Sequence, residues 1–94
     1  MNEKQKLIRT TIKDYILNSN GSIRCLVDKH IVRITSDINF SSKIKVTRQE
    51  VETEIILLAE EGFFEKHDKE YFKYYVKDDI SKIIWGVLWK GVKQ

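Results

Sequence analysis

A cationic and polar cluster, Lys43, Lys45, Thr47, Arg48 and Gln49, sits within seven residues of chain. These residue types bind phosphate through charge and hydrogen bonds, and Arg and Gln also read base edges. A second basic group, Lys66, Lys69 and Lys73, flanks a run of aromatics further along. The supply of catalytic groups is poor by comparison. The single cysteine, Cys25, and the two histidines, His30 and His67, are spread over separate segments. Cys25, Asp28 and His30 fall short of the four donors that a structural metal site takes. No Gly-rich phosphate loop follows a strand, and no nucleophile is spaced to meet a base. The expectation is a binding protein rather than an enzyme, with no metal and no cofactor.

The elements that position the first cluster are legible from local signals. Val46-Thr47-Arg48-Gln49-Glu50 reads as a helix start, with Thr47 as cap and Glu50 reaching back to the cap N–H. Val46 and Val51 stand where a hydrophobic staple places them. Val51, Ile55, Leu58 and Ala59 recur at helical spacing, and Gly62 supplies a left-handed stop. The helix therefore covers about 47–61.

Upstream, residues 3–17 read as a helix with Ile8, Ile12, Tyr15 and Ile16 on one face and Lys6, Arg9 and Lys13 largely outside it. Asn18-Ser19-Asn20-Gly21 ends it. A second helix is expected from Ser22 to about Ser36, with residues 22–27 alternatively a short strand because of their β-branched content. Residues 37–45 read as a connection holding Phe40, a core anchor, and Lys43-Ile44-Lys45, a segment able to pair as a strand.

Downstream, Phe63–Lys66 and Tyr71–Val76 read as a hairpin around the polar loop His67-Asp68-Lys69-Glu70. Its aromatics are expected to pack on the helices more than to stack on bases. Residues 78–92 read as a C-terminal helix. Its stripe of Ile84, Trp85, Leu88, Trp89 and Val92 is a candidate homodimer interface.

This order of elements resembles winged helix-turn-helix domains over residues 7–76. The fold class it implies is α+β: three helices and a β-hairpin wing, to which this chain adds the C-terminal helix. The second half is also similar to the winged-helix domain that closes cullin ubiquitin-ligase scaffolds. The segments concerned are residues 40–46, the acidic run from Val51 through Lys66, and Tyr71 to Val76. Where cullins carry a modifier-accepting lysine late in the first helix, this chain has Leu17, so no acceptor is implied.

The whole chain fits one domain of 94 residues, with a core over 3–77. It is 41% hydrophobic and 33% charged, the balance of a folded chain. No apolar run approaches the 18 or so residues of a membrane span, so no membrane contact is expected. One cysteine and the absence of a leader pattern point to an intracellular setting, cytoplasmic or nuclear. The net charge of +3 is unevenly spread. Residues 1–45 hold nine Lys/Arg against four Asp/Glu, while residues 46–61 hold Arg48 against five glutamates.

Double-stranded DNA is accordingly the expected partner, through Lys43, Lys45, Thr47, Arg48 and Gln49 with Lys66, Lys69 and Lys73 on the wing. The function expected is that of a transcriptional regulator or accessory factor. The alternative is a protein-interaction module that uses the acidic third helix, including Glu52, Glu60 and Glu61.

Overall fold

The computed structural model describes residues 1–65 and the backbone of Trp85 and Gly86. Three helices, α1 (Glu3–Leu17), α2 (Asp28–Ser41) and α3 (Arg48–Glu60), pack on one another. Two short strands, β1 (Cys25–Leu26) and β2 (Trp85–Gly86), pair antiparallel, with Cys25 opposite Gly86 and Leu26 opposite Trp85.

Each helix forms where its caps and its apolar stripe agree. Helix α1 starts on a capping box, in which the Asn2 side chain accepts from the Gln5 N–H and the Gln5 side chain accepts from the Asn2 N–H. It buries Ile8, Ile12 and Ile16. It ends at a turn in which Asn20 and Gly21 both take positive φ. Helix α2 begins without a capping hydroxyl; instead His30 Nδ1 accepts from the Val27 N–H at 3.0 Å. It turns Ile31, Ile34, Thr35 and Ile38 inward.

Helix α3 has the expected Thr47–Glu50 box. Val46 and Val51, the two staple residues, are both buried in the common core. Its exit is a Schellman motif: the Phe63 N–H donates to Leu58 O at 2.9 Å and the Gly62 N–H to Ala59 O at 3.0 Å. Gly62, with φ of 87°, supplies the left-handed residue this motif needs.

The winged-helix expectation does not hold. The regular structure of the described residues is helical apart from the two-residue ladder, and Phe63, Phe64 and Glu65 form no strand. Phe63 and Phe64 are both buried and meet edge to face, with ring centroids 5.0 Å apart. A strand on a half-solvated sheet would turn one of two consecutive residues outward. The Schellman turn instead drives both rings back onto the helices. The other expected hairpin strand, Tyr71–Val76, lies outside the described residues.

The added C-terminal helix is contradicted at Trp85–Gly86, which is extended and paired with β1. The helical spacing that grouped Ile84, Trp85, Leu88, Trp89 and Val92 therefore fails at Trp85. The other four residues of that set lie outside the described residues.

Two further corrections concern α2. It runs to Ser41 rather than ending near Ser36, and Cys25–Leu26 is the short strand read as the alternative for 22–27. Lys43-Ile44-Lys45 forms no strand. Phe40, expected in the core, is 94% exposed. The continued helix explains this, because Phe40 lies about 200° around α2 from Ile38, an inward residue.

Candidate functional site

The loop joining α2 to α3 is short and tied down along its length. Asn39 grips Val46 in both senses: its Nδ2 donates to Val46 O at 2.9 Å, and its Oδ1 accepts from the Val46 N–H at 2.7 Å. The Ser42 N–H closes α2 on Ile38 O, and Ser42 Oγ accepts from the Ile44 N–H at 3.0 Å. Lys45 Nζ donates to the main-chain carbonyls of Asn39 and Ser42. An ammonium here satisfies carbonyls left open at the α2 C-terminus and complements the helix dipole. The ordering cost of this loop is met within the fold, so a ligand would meet a preformed surface.

On that corner the structure brings together all five members of the first cluster. Lys43 and Lys45 are exposed on the loop, Thr47 caps α3, and Arg48 and Gln49 occupy its first exposed turn. Two of the cations already have partners within the chain. Arg48 pairs with Asp28 at the start of α2, and both side chains are about half exposed. Lys45 spends two of its three donors on carbonyls. Exposed ion pairs contribute only about 0–1 kcal/mol, so phosphate can displace Asp28 from Arg48 at little cost. The second basic group, Lys66, Lys69 and Lys73, lies outside the described residues.

Phe40, a core residue by its type, stands exposed at this corner. It stands in the last turn of α2, next to Asn39 and five residues before Lys45. Leaving a phenylalanine in water forgoes about 1.5–3 kcal/mol of burial. The signal was available in the sequence: with Ile31, Ile34 and Ile38 fixing the inward face, a helix carried on to residue 40 turns Phe40 outward.

The acidic face of α3 is largely engaged. Glu54 is only 3% exposed, and its Oε1 accepts from Arg9 Nε of α1 at 3.2 Å. Arg9 Nη1 also donates to both oxygens of Glu61, at 2.7 and 2.8 Å. The Glu61 carboxylate, followed by Glu54, raises the pKa of the Arg9 guanidinium against the opposing effect of burial. Arg9 is thus a clamp between α1 and α3 rather than a solvated residue. Glu50 meets Lys4 Nζ at 2.6 Å; this contact, then the Thr47 N–H, lowers the Glu50 carboxyl from its ordinary value.

Between the starts of α1 and α3 lies a cleft of about 380 Å³, bordered by Asn2, Lys4 and Gln5 on one side and Thr47, Gln49 and Glu50 on the other. Its polar groups are mostly occupied by the two capping boxes and the Lys4–Glu50 pair. Among its lining residues there is no cysteine, histidine or serine. Cys25 is buried in β1, and His30 is bonded to the α2 N-terminus. Among the described residues no three His, Cys, Asp or Glu side chains are grouped as metal ligands. Among them, too, no helix is long and apolar enough to cross a membrane.

Comparison with protein families, with curated proteins and with solved structures gives no match for this chain.

Proposed function

We propose that this chain is a small, non-enzymatic DNA-binding protein that presents its α2–α3 corner to the phosphate backbone and acts as a regulator or accessory factor. The observation that carries this reading is the tied loop 42–47, which holds Lys43, Lys45 and Arg48 exposed around the start of α3. Gln49 stands beside them as a donor and acceptor for base edges.

The rival reading, a protein partner on the acidic face of α3 through Glu52, Glu60 and Glu61, keeps Glu52 and Glu60 outside the described ion pairs, while Glu61 is half exposed and paired with Arg9. Dimerisation through Ile84, Trp85, Leu88, Trp89 and Val92 loses its helical basis at Trp85 and forms no part of this proposal.

Three cations neutralising three phosphates give a salt slope of about −2.7, so affinity for duplex falls about 40-fold between 50 and 200 mM salt. Fluorescence anisotropy with a labelled duplex at the two salt concentrations tests this. Absence of binding at the lower salt, or binding that ignores salt, overturns the proposal.

A further inference from the structure

Residues 19–22 close a tight turn between α1 and β1. The Ser22 N–H donates to Ser19 O at 3.1 Å, and the Ser22 hydroxyl donates to the same carbonyl at 2.8 Å. Asn20 and Gly21, the two central residues, take φ of 51° and 85°. Positive φ at both positions marks a type I′ turn, which favours Asn-Gly. Asn20 is exposed, and the Gly21 N–H has no hydrogen bond among the described residues.

The main-chain nitrogen after an asparagine can close a five-membered ring on the asparagine side-chain carbonyl, provided that it is neither crowded nor held. Glycine, with no Cβ, crowds it least. Asn20-Gly21 is the one Asn-Gly pair in the sequence, and the other asparagines, Asn2, Asn18 and Asn39, are restrained. Asn2 Oδ1 accepts from the Gln5 N–H at 2.8 Å in the α1 capping box. After Asn18 the attacking nitrogen would be that of Ser19, which is bonded to Ile16 O at 3.1 Å. Asn39 lies within α2 with both arms of its side chain on Val46.

We infer that Asn20 is a site of spontaneous deamidation and isomerisation. Hydroxide takes the Gly21 N–H proton, and the nitrogen bonds to Cγ of Asn20. The Cγ–Nδ2 bond breaks, and ammonia leaves with a proton from water, which restores the hydroxide. The succinimide so formed adds water at one of its two carbonyls. Opening at Cγ leaves aspartate on the original main chain. Opening at the main-chain carbonyl leaves isoaspartate, with the chain running through Cβ and Cγ. Ring closure requires rotation about the Asn20 Cα–C bond, out of the type I′ turn. Two hydrogen bonds to one carbonyl at the surface restrain that rotation weakly, and such segments open readily. Both products carry a carboxylate in place of the amide, and isoaspartate adds one carbon to the connection between α1 and β1.

The test incubates the folded full chain in warm, mildly alkaline buffer. Tandem mass spectrometry of the tryptic peptide that follows Lys13 and ends at Arg24 assigns the gain in mass from amide to acid to Asn18 or Asn20. A protein-isoaspartate methyltransferase with a labelled methyl donor measures isoaspartate. Conversion at Asn20 should exceed that at Asn2, Asn18 and Asn39 together. Asn20→Gly, which suits the positive φ and should keep the wild-type circular dichroism spectrum, should lose the methylation signal. Conversion absent until the chain is unfolded in urea, conversion shared evenly among the asparagines, or methylation undiminished in Asn20→Gly would overturn the inference.

Discussion

Removing the guanidinium of Arg9 should cost this fold more than any other single charge deletion among the described residues. The two halves of the clamp differ in exposure. The Arg9 and Glu54 side chains are 12% and 4% exposed, whereas that of Glu61 is 56% exposed. In Arg9→Ala, Glu54 is left buried without its counterion, a situation that costs about 3–5 kcal/mol. The Glu61 half adds at most about 1 kcal/mol, because solvent screens it. A domain of this length is stable by about 5–14 kcal/mol in total, so the loss is a large share of the whole. Glu61→Ala should cost under about 1 kcal/mol. The double variant Arg9→Met/Glu54→Leu, which removes both buried charges and keeps apolar bulk, should recover most of the stability. Urea unfolding followed by far-ultraviolet circular dichroism measures all three. If Arg9→Ala costs no more than Glu61→Ala, the buried half of the clamp is not what joins α1 to α3, and this reasoning is wrong.

Three other outcomes are expected. Thr47→Ala should cost about 1 kcal/mol in the same unfolding assay, since Thr47 Oγ1 accepts from the Glu50 N–H at the α3 start. Glu50, whose carboxyl is lowered first by Lys4 and then by the Thr47 N–H, contributes stability above the usual glutamate range that is lost as pH falls through its depressed folded value. Urea midpoints against pH for wild type and Glu50→Gln should therefore differ near neutrality and converge at acid pH; a constant gap would refute this. In the duplex titration, Lys43→Gln and Arg48→Gln should each reduce the salt slope by about one. A slope unchanged by either would place the bound DNA elsewhere on the surface.

The parts of the fold legible in the sequence were those written in local rules. Helix α1 was read with its observed bounds, because three isoleucines at helical spacing and an Asn-Ser-Asn-Gly stop agree. The α3 box and the Gly62 stop were likewise readable from residues three to six apart. Misreadings arose where aromatic residues were assigned by type instead of by position. Phe63 and Phe64 suit strands in general, but the hydrogen bond from the Phe63 N–H to Leu58 commits them to the helix exit. Phe40 was assigned to the core because phenylalanine usually is, although its angle on a lengthened α2 excludes that.

At the candidate site, the cationic cluster was visible by composition. Its scaffold was not, because Asn39 bonding to Val46 is a tertiary pairing with no sequence pattern. Glu54 did leave a trace. It falls between Val51 and Ile55 on the inward face of α3, and an acid there calls for a buried cation. Which cation would answer it depended on how α1 and α3 pack.

The pairing of β1 with β2 bears on the order in which the chain folds. Cys25 faces Gly86, so the ladder closes a loop of about sixty residues, at an entropic cost of about 3–4 kcal/mol plus a constant. A two-residue ladder returns only a few hydrogen bonds, each worth about 1 kcal/mol net. It cannot nucleate folding and has to wait until the helices have shortened the distance between its strands. The same arithmetic makes it an early point of local opening, which would expose the backbone of Cys25 and Leu26 as an unpaired edge. Together with the contact of β2 on α3, this ladder ties the late part of the chain to the early part.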